Sequence, residues 1–168
     1  MATPYNYVEL EVMENLMGTM VFLHVLFGVV LAMTLIIMQL IINPALANIP
    51  AGADKQNFAA VVQKRWHPVV DIAIIVLTFT ALFFLHARWE EIIASSILPI
   101  KATTGIIALS CANLLHFYYR GKKRKLKAAG ETEKLAKATA LTTKLEKVAL
   151  IFGATTFLLA LLYNHSPF

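Results

Sequence analysis

The sequence predicts an all-α integral membrane protein, a four-helix transmembrane bundle with both termini on the outer, non-cytoplasmic side. Three observations carry this. Apolar residues make up 58% of the 168-residue chain and charged residues only 15%, where soluble domains carry about a quarter charged. The apolar residues fall in four long stretches, each near the roughly 20 residues that a helix needs to cross about 30 Å of hydrocarbon. The positive charge is concentrated between the third and fourth stretches. Together these exclude a soluble globule and a disordered chain. The single Cys111 excludes a disulfide framework.

The first span, 16–42, contains no charged residue. The second, 68–85, has Asp71 near its start, and the third, 97–119, has Lys101 near its start. The fourth covers 148–163. Asn43-Pro44 is expected to close the first helix, Pro68 and Pro99 to sit in the first turns of the second and third, and Pro167 to follow the fourth. No internal sequence repeat stands out. Segment 120–147 holds ten basic residues against three acidic ones, a net +7, which leaves −2 for the rest of a chain whose total is +5. The loop between the first two spans adds Lys55, Lys64 and Arg65, while the N-terminal segment has Glu9, Glu11 and Glu14 and no base. The tail after Tyr163 has no charged side chain. Basic loops stay on the cytoplasmic side, so the first and third loops are expected inside. The basic loop would then touch anionic lipid head groups, with docking of a soluble partner as the alternative. Ala, Leu, Lys and Glu throughout 131–147 predict a helix that runs into the fourth span.

An ionisable group inside a bilayer costs about 2.5–3.5 kcal/mol on insertion scales, so each one is a candidate for function. His24 lies about eight residues into the first span, roughly 12 Å below its outer end. Met13, Met17, Met20 and His24 are spaced 4, 3 and 4 and so share one helix face. Thioether and imidazole donors suit copper, and Met17, Met20 and His24 would form a path for it, with Lys101 and His86 near its mouth. The same spacing equally describes ordinary helix packing, for which Met is a good gap filler. His67 and Asp71 are four apart on the second helix, where the carboxylate would orient the imidazole. His116, near the inner end of the third span, lies at a depth comparable with His67, and a haem held by two imidazoles needs such a match. His24 and His86, differing by roughly 9 Å in depth, match less well than His67 and His116, and a homodimer would instead pair His24 with its own copy. Lys101 either snorkels to water or faces the bundle beside His24 and His86, where it would bind a carboxylate such as a haem propionate. Cys111 reads as a packing residue, and Trp66, Trp89, Tyr118, Tyr119 and Tyr163 as an interfacial aromatic belt. There is no phosphate loop, zinc-protease motif or nucleophile elbow, which argues against an enzyme. The basic loop lacks interleaved aromatics for stacking bases, so nucleic acid is not an expected partner.

Four stretches taken in order also resemble a known family. They are FLHVLFGVVLAMTLIIMQLIINPAL, QKRWHPVVDIAIIVLTFTALFFL, LPIKATTGIIALSCANLLHFYYR and TTKLEKVALIFGATTFLLALL. The ordered set of His24, Pro44, Arg65, Lys101 and Glu146 is similar to that of the CopD-like copper-resistance membrane domain. The likeness implies a four-helix unit concerned with copper movement or supply in a bacterial inner membrane. The first-span His and third-span Lys also resemble the HemJ-like protoporphyrinogen oxidases, which implies haem. The chain reads Phe27-Gly28-Val29 where the copper family often has Trp-Gly-Gly, and His116 lies fifteen residues after Lys101, off the HemJ-like pattern. Three functions therefore stand open: copper binding and transport, a haem b redox or porphyrin-oxidising module, and a structural subunit of a membrane complex. A homo-oligomer or a larger assembly is expected in each.

Overall fold

The computed structural model describes residues 4–164, with side chains from 11 to 163. Pro167 and the uncharged tail lie outside the described residues, as does the side chain of Glu9. The described residues are helical apart from short connections, with no strand among them. Four segments are long and apolar enough to cross a membrane: Glu11–Asn48, Ala53–Ala87, Leu98–Ala128 and Thr132–Tyr163. Large apolar side chains cover their surfaces. Phe22, Phe79 and Ile151 are each more than 60% exposed, which water would penalise and a lipid tail would not. The chain forms two compact units, residues 1–87 and 88–168, each a helical hairpin.

In the first unit, α1 (Pro4–Ile37) runs through a π turn (Met38–Ile42) directly into α2 (Asn43–Asn48). Asn43-Pro44 therefore does not end the helix. A proline ring collides with the carbonyl four residues back, here that of Leu40 inside the widened turn, and the ladder shifts to Asn43 N–H donating to Met38 O. The helix stops where Ile49 becomes extended (ψ 127°) before Pro50. The return helix α3 (Ala53–Ala87) begins fifteen residues before Pro68, which lies inside it rather than in its first turn.

In the second unit, α4 (Trp89–Ala94) precedes α5 (Leu98–Asn113). Ser95 Oγ accepts the N–H groups of Ile97 and Leu98 at 3.2 Å, and Pro99 occupies the first turn of α5 as expected. A second π turn (Leu114–Tyr119) leads into α6 (Arg120–Ala128). The chain reverses at Gly130, whose φ of +70° favours glycine. Glu131 N–H donates to Leu126 O and Gly130 N–H to Lys127 O, which closes the helix end. The final helix, α7 (Thr132–Asn164), continues unbroken from the basic segment into the last apolar stretch.

Both hairpins share one plan that the sequence reading did not detect. Along α7 the shielded positions include Leu135, Ala138, Thr142, Leu145, Ala149, Phe152, Thr156, Leu159 and Tyr163. Their alternating steps of 3 and 4 are the seven-residue period by which two helices keep facing each other. The same steps on α3 are Trp66, Val70, Ala73, Leu77, Thr80 and Phe84, with Ile74 also fully buried beside Ala73, and those on α1 are Met17, Met20, His24, Phe27, Leu31, Thr34 and Met38. On α5 they are Lys101, Thr104, Ala108, Cys111 and Leu115. Each π turn then inserts one residue. Beyond it the shielded positions are Ile42, Leu46 and Ile49 in the first unit, and Tyr119, Lys123 and Leu126 in the second. Lys123 thereby comes round to donate to Thr142 Oγ1 at 3.2 Å.

The correspondence extends to single contacts. A Cβ on Gly28 would meet Leu77 at 3.9 Å, and one on Gly105 would meet Thr156 at 3.4 Å. Gly105 follows Gly28 by 77 residues, and Thr156 follows Leu77 by 79. The same offsets carry His24 to Lys101 and Phe84 to Tyr163. In each hairpin the former residue rests against the latter's ring, His24 at 5.4 Å and Lys101 at 6.0 Å between centres. Next to Gly105, Thr156 and Thr104 hydroxyls lie 2.9 Å apart across the α5–α7 seam. Gly105→Leu is therefore expected to wedge α5 from α7 at a cost of about 1–3 kcal/mol, seen as a lower Tm in detergent. Gly105→Ala, at ordinary contact distance, and Gly18→Leu, in open space, should leave Tm nearly unchanged.

Candidate functional site

The best-built polar site lies in the first unit. His24, on the α1 seam, is half-buried, and its Nδ1 lies 2.7 Å from Thr80 Oγ1 on α3. Thr80 is fully buried. Its Oγ1 lies 2.9 Å from Val76 O and 3.2 Å from Leu77 O. A threonine hydroxyl has one proton, and in a helix it goes to the carbonyl of the preceding turn. With its proton on that carbonyl, the hydroxyl oxygen accepts from His24 Nδ1–H, the tautomer in which Nε2 carries the lone pair. Phe84, one turn beyond Thr80, meets the imidazole edge to face at 85°, which limits rotation of the ring. A ligating histidine is commonly oriented in this way, its second nitrogen donating to a fixed oxygen.

Met17 and Met20 share the His24 face, as their spacing predicted, and both are half-buried. The same face continues as Phe27, Leu31 and Thr34. The line of soft donors is therefore also the packing seam of the hairpin. Met13, outside the seam, is 55% exposed. His86 lies six residues beyond Thr80, about 9 Å further along α3, and is exposed. It does not join His24.

His67 and Asp71 are half-buried on successive turns of α3. His116 sits in the second π turn and is half-buried. His67 belongs to the first unit and His116 to the second. No group of three or more His, Cys, Asp or Glu residues able to hold a metal occurs among the described residues. Lys101 is half-buried in α5, with Nζ 6.0 Å from the centre of the Tyr163 ring. Tyr163 donates its hydroxyl proton to Glu91 Oε1 at 3.0 Å, and Glu91 receives both Arg88 Nε and Arg88 NH2 at 2.6 Å. Lys101 thus lies over an aromatic ring whose hydroxyl is bonded to Glu91.

Sequence reasoning missed Thr80, Phe84 and Glu91 as partners. The available signal was the position of Thr80 and Phe84 on the seven-residue seam of α3, opposite the first-span histidine.

Fold and site together define an all-helical protein with four helices fit to cross a membrane and an oriented imidazole inside the first hairpin. Comparison of the chain with protein-family models, with curated proteins and with solved structures found no match to any of the three.

Proposed function

We propose that this is a small integral protein of a bacterial inner membrane that holds a metal centre through His24 Nε2, and that the metal is copper, bound for uptake or supply. The observation that carries this is the 2.7 Å contact between His24 Nδ1 and Thr80 Oγ1, which orients the imidazole in the manner of a ligating histidine. Met20 and Met17 lie on the same face of α1 and would add thioether donors suited to Cu(I). The likeness of the four spans to the CopD-like domain supports the copper reading. In this reading both termini lie outside, and the basic segment 120–147 lies inside against anionic lipid. The protein works as a homo-oligomer or as a subunit of a larger membrane complex.

A second reading is haem b held by the same imidazole, or a porphyrin held for oxidation. It asks fewer ligands of the protein, since a porphyrin supplies four nitrogens and only axial ligands are needed. His67 with Asp71, His116 and Lys101 remain the further candidates for haem contacts in this reading.

One experiment separates the two. The protein is purified in mild detergent, its absorption spectrum is taken oxidised and dithionite-reduced, and its copper content is measured. For copper, the expected result is about one ion per chain, lost in His24→Ala and in Met17→Leu with Met20→Leu, with a featureless visible spectrum. For haem, a Soret band is lost in His24→Ala and kept in the Met double variant. Wild-type protein that takes up neither copper nor haem would overturn both and leave the structural-subunit reading.

A further inference from the structure

The net charge of segment 120–147 is not spread evenly along it. Residues 120–127 and 144–147 carry eight basic side chains against Glu146, a net +7. Residues 128–143 carry Lys134 and Lys137 against Glu131 and Glu133, a net of zero. The fold separates the two groups in height. Lys123 Nζ donates to Thr142 Oγ1 at 3.2 Å, which sets α6 level with α7 at that point. Lys127 stands about 6 Å beyond this level, and Lys144 and Lys147 about 3 and 8 Å short of it, toward the apolar stretch. Lys137 and Lys134 stand about 8 and 12 Å beyond it, near the tip of the hairpin. The tip cations are taken up by neighbouring carboxylates, Lys137 by Glu133 at 2.6 Å and Lys134 by Glu131. The exposed cations of the lower band, Lys122, Arg124, Lys125, Lys127, Lys144 and Lys147, make no ion pair among the described residues. Lys122 also bends back toward the apolar stretch, its Nζ 5.5 and 5.7 Å from the ring centres of Tyr118 and Tyr119.

We propose that this lower band, and not the segment as a whole, is an interaction surface that selects anionic phospholipids, while the tip takes no part. An acidic protein or a nucleic acid arrives from the water and meets the tip first, where the charge is zero and the cations are occupied. A lipid head group arrives from the other end and meets the band. The head-group layer adds about 5–8 Å to each side of the hydrocarbon, and the field of anionic lipids fades within a Debye length, about 8 Å at physiological ionic strength. With Tyr118 and Tyr119 at the interface, the band lies within that combined reach and Lys134 lies beyond it. The inference rests on the reading of the long helices as membrane spans, and it does not depend on the metal at His24.

The test places the full chain in phosphatidylcholine vesicles and compares spin-labelled phosphatidylglycerol with spin-labelled phosphatidylcholine. The preference is the ratio in which the two are immobilised at the protein. Wild type is expected to prefer the anionic lipid about threefold, the scale of one surface cation averaged around the protein. In 1 M salt, where the Debye length falls to about 3 Å, the ratio should approach one. Lys122→Gln, Arg124→Gln, Lys125→Gln and Lys127→Gln made together should remove most of the preference, whereas Lys134→Gln with Lys137→Gln should keep it. Circular dichroism of both variants is expected to show wild-type helicity. Extraction of the same vesicles at alkaline pH separates two kinds of failure. Wild type that washes off overturns the span reading and this proposal with it. Wild type that stays but shows no preference overturns this proposal alone, as would an unchanged preference in the fourfold variant or its loss in the tip variant.

Discussion

Thr80→Val should weaken metal or haem binding about 10–100-fold, the usual scale for loss of a residue that orients a ligating histidine. Valine keeps the branched shape and replaces the hydroxyl by a methyl group. The Nδ1 proton of His24 then has no oxygen at 2.7 Å to receive it. In a region without water the imidazole either leaves that donor unsatisfied or moves the proton to Nε2, which removes the lone pair from the ligating side. The first course costs about 1–3 kcal/mol of stability. Thr80→Ser, which keeps the acceptor, should bind almost as wild type. In a His24→Leu background Thr80→Val should cost much less stability, because the pair is already broken. Affinity would be measured by copper or haem titration and stability by thermal unfolding in detergent. Wild-type affinity and stability in Thr80→Val would show that the hydroxyl does not orient the imidazole.

Charge placed on the exposed apolar surface should have the opposite effect from the one it has on a water-soluble protein. Phe79 and Phe157 are 61% and 52% exposed and lie near the middle of the second and fourth apolar stretches. In water Phe79→Asp or Phe157→Asp would remove exposed hydrocarbon and improve solubility. In a bilayer each should cost about 2.5–3.5 kcal/mol on insertion scales. The variants are therefore expected to accumulate poorly in the membrane fraction and to extract more readily at alkaline pH. Ala140→Asp, exposed in the basic part of α7, serves as the control and should behave as wild type. If the two Phe variants integrate as well as the control, the exposed belt does not face lipid.

The parts of this architecture that depend on local sequence were legible. Long uncharged stretches become helices because lipid and intrahelical hydrogen bonding both favour them. Pro99 marks a helix start, and the Lys/Glu/Ala run before Val148 joins the last helix. The two misread prolines show the limit. Pro44 and Pro68 carry the same chemistry as Pro99, but a wide turn accommodates one and a long packed helix the other. Neither tolerance is encoded near the proline itself. His24 was identifiable as a polar residue needing a partner, whereas Thr80, 56 residues away, was not. The Met17, Met20 and His24 face was read correctly as a face, but a line of donors and a packing seam have the same spacing. The shared plan of the two hairpins stayed hidden for a related reason. Matching seam positions seldom hold the same residue or even one of similar size, as with Ala73 and Phe152 or Leu31 and Ala108, and the identity of Gly28 and Gly105 is an exception.

The π turns bear on how each hairpin tolerates a change in chain length. Elsewhere in α1 or α5, loss of one residue would turn everything downstream by about 100° and carry the seam to the lipid side. Within Met38–Ile42 or Leu114–Tyr119 the helix already holds one residue more than its seam requires. Losing that residue would return the turn to ordinary α-helical pitch and leave the later seam positions facing the same way. Single-codon deletions should therefore survive in these two windows of the first helices and be purged on either side of them.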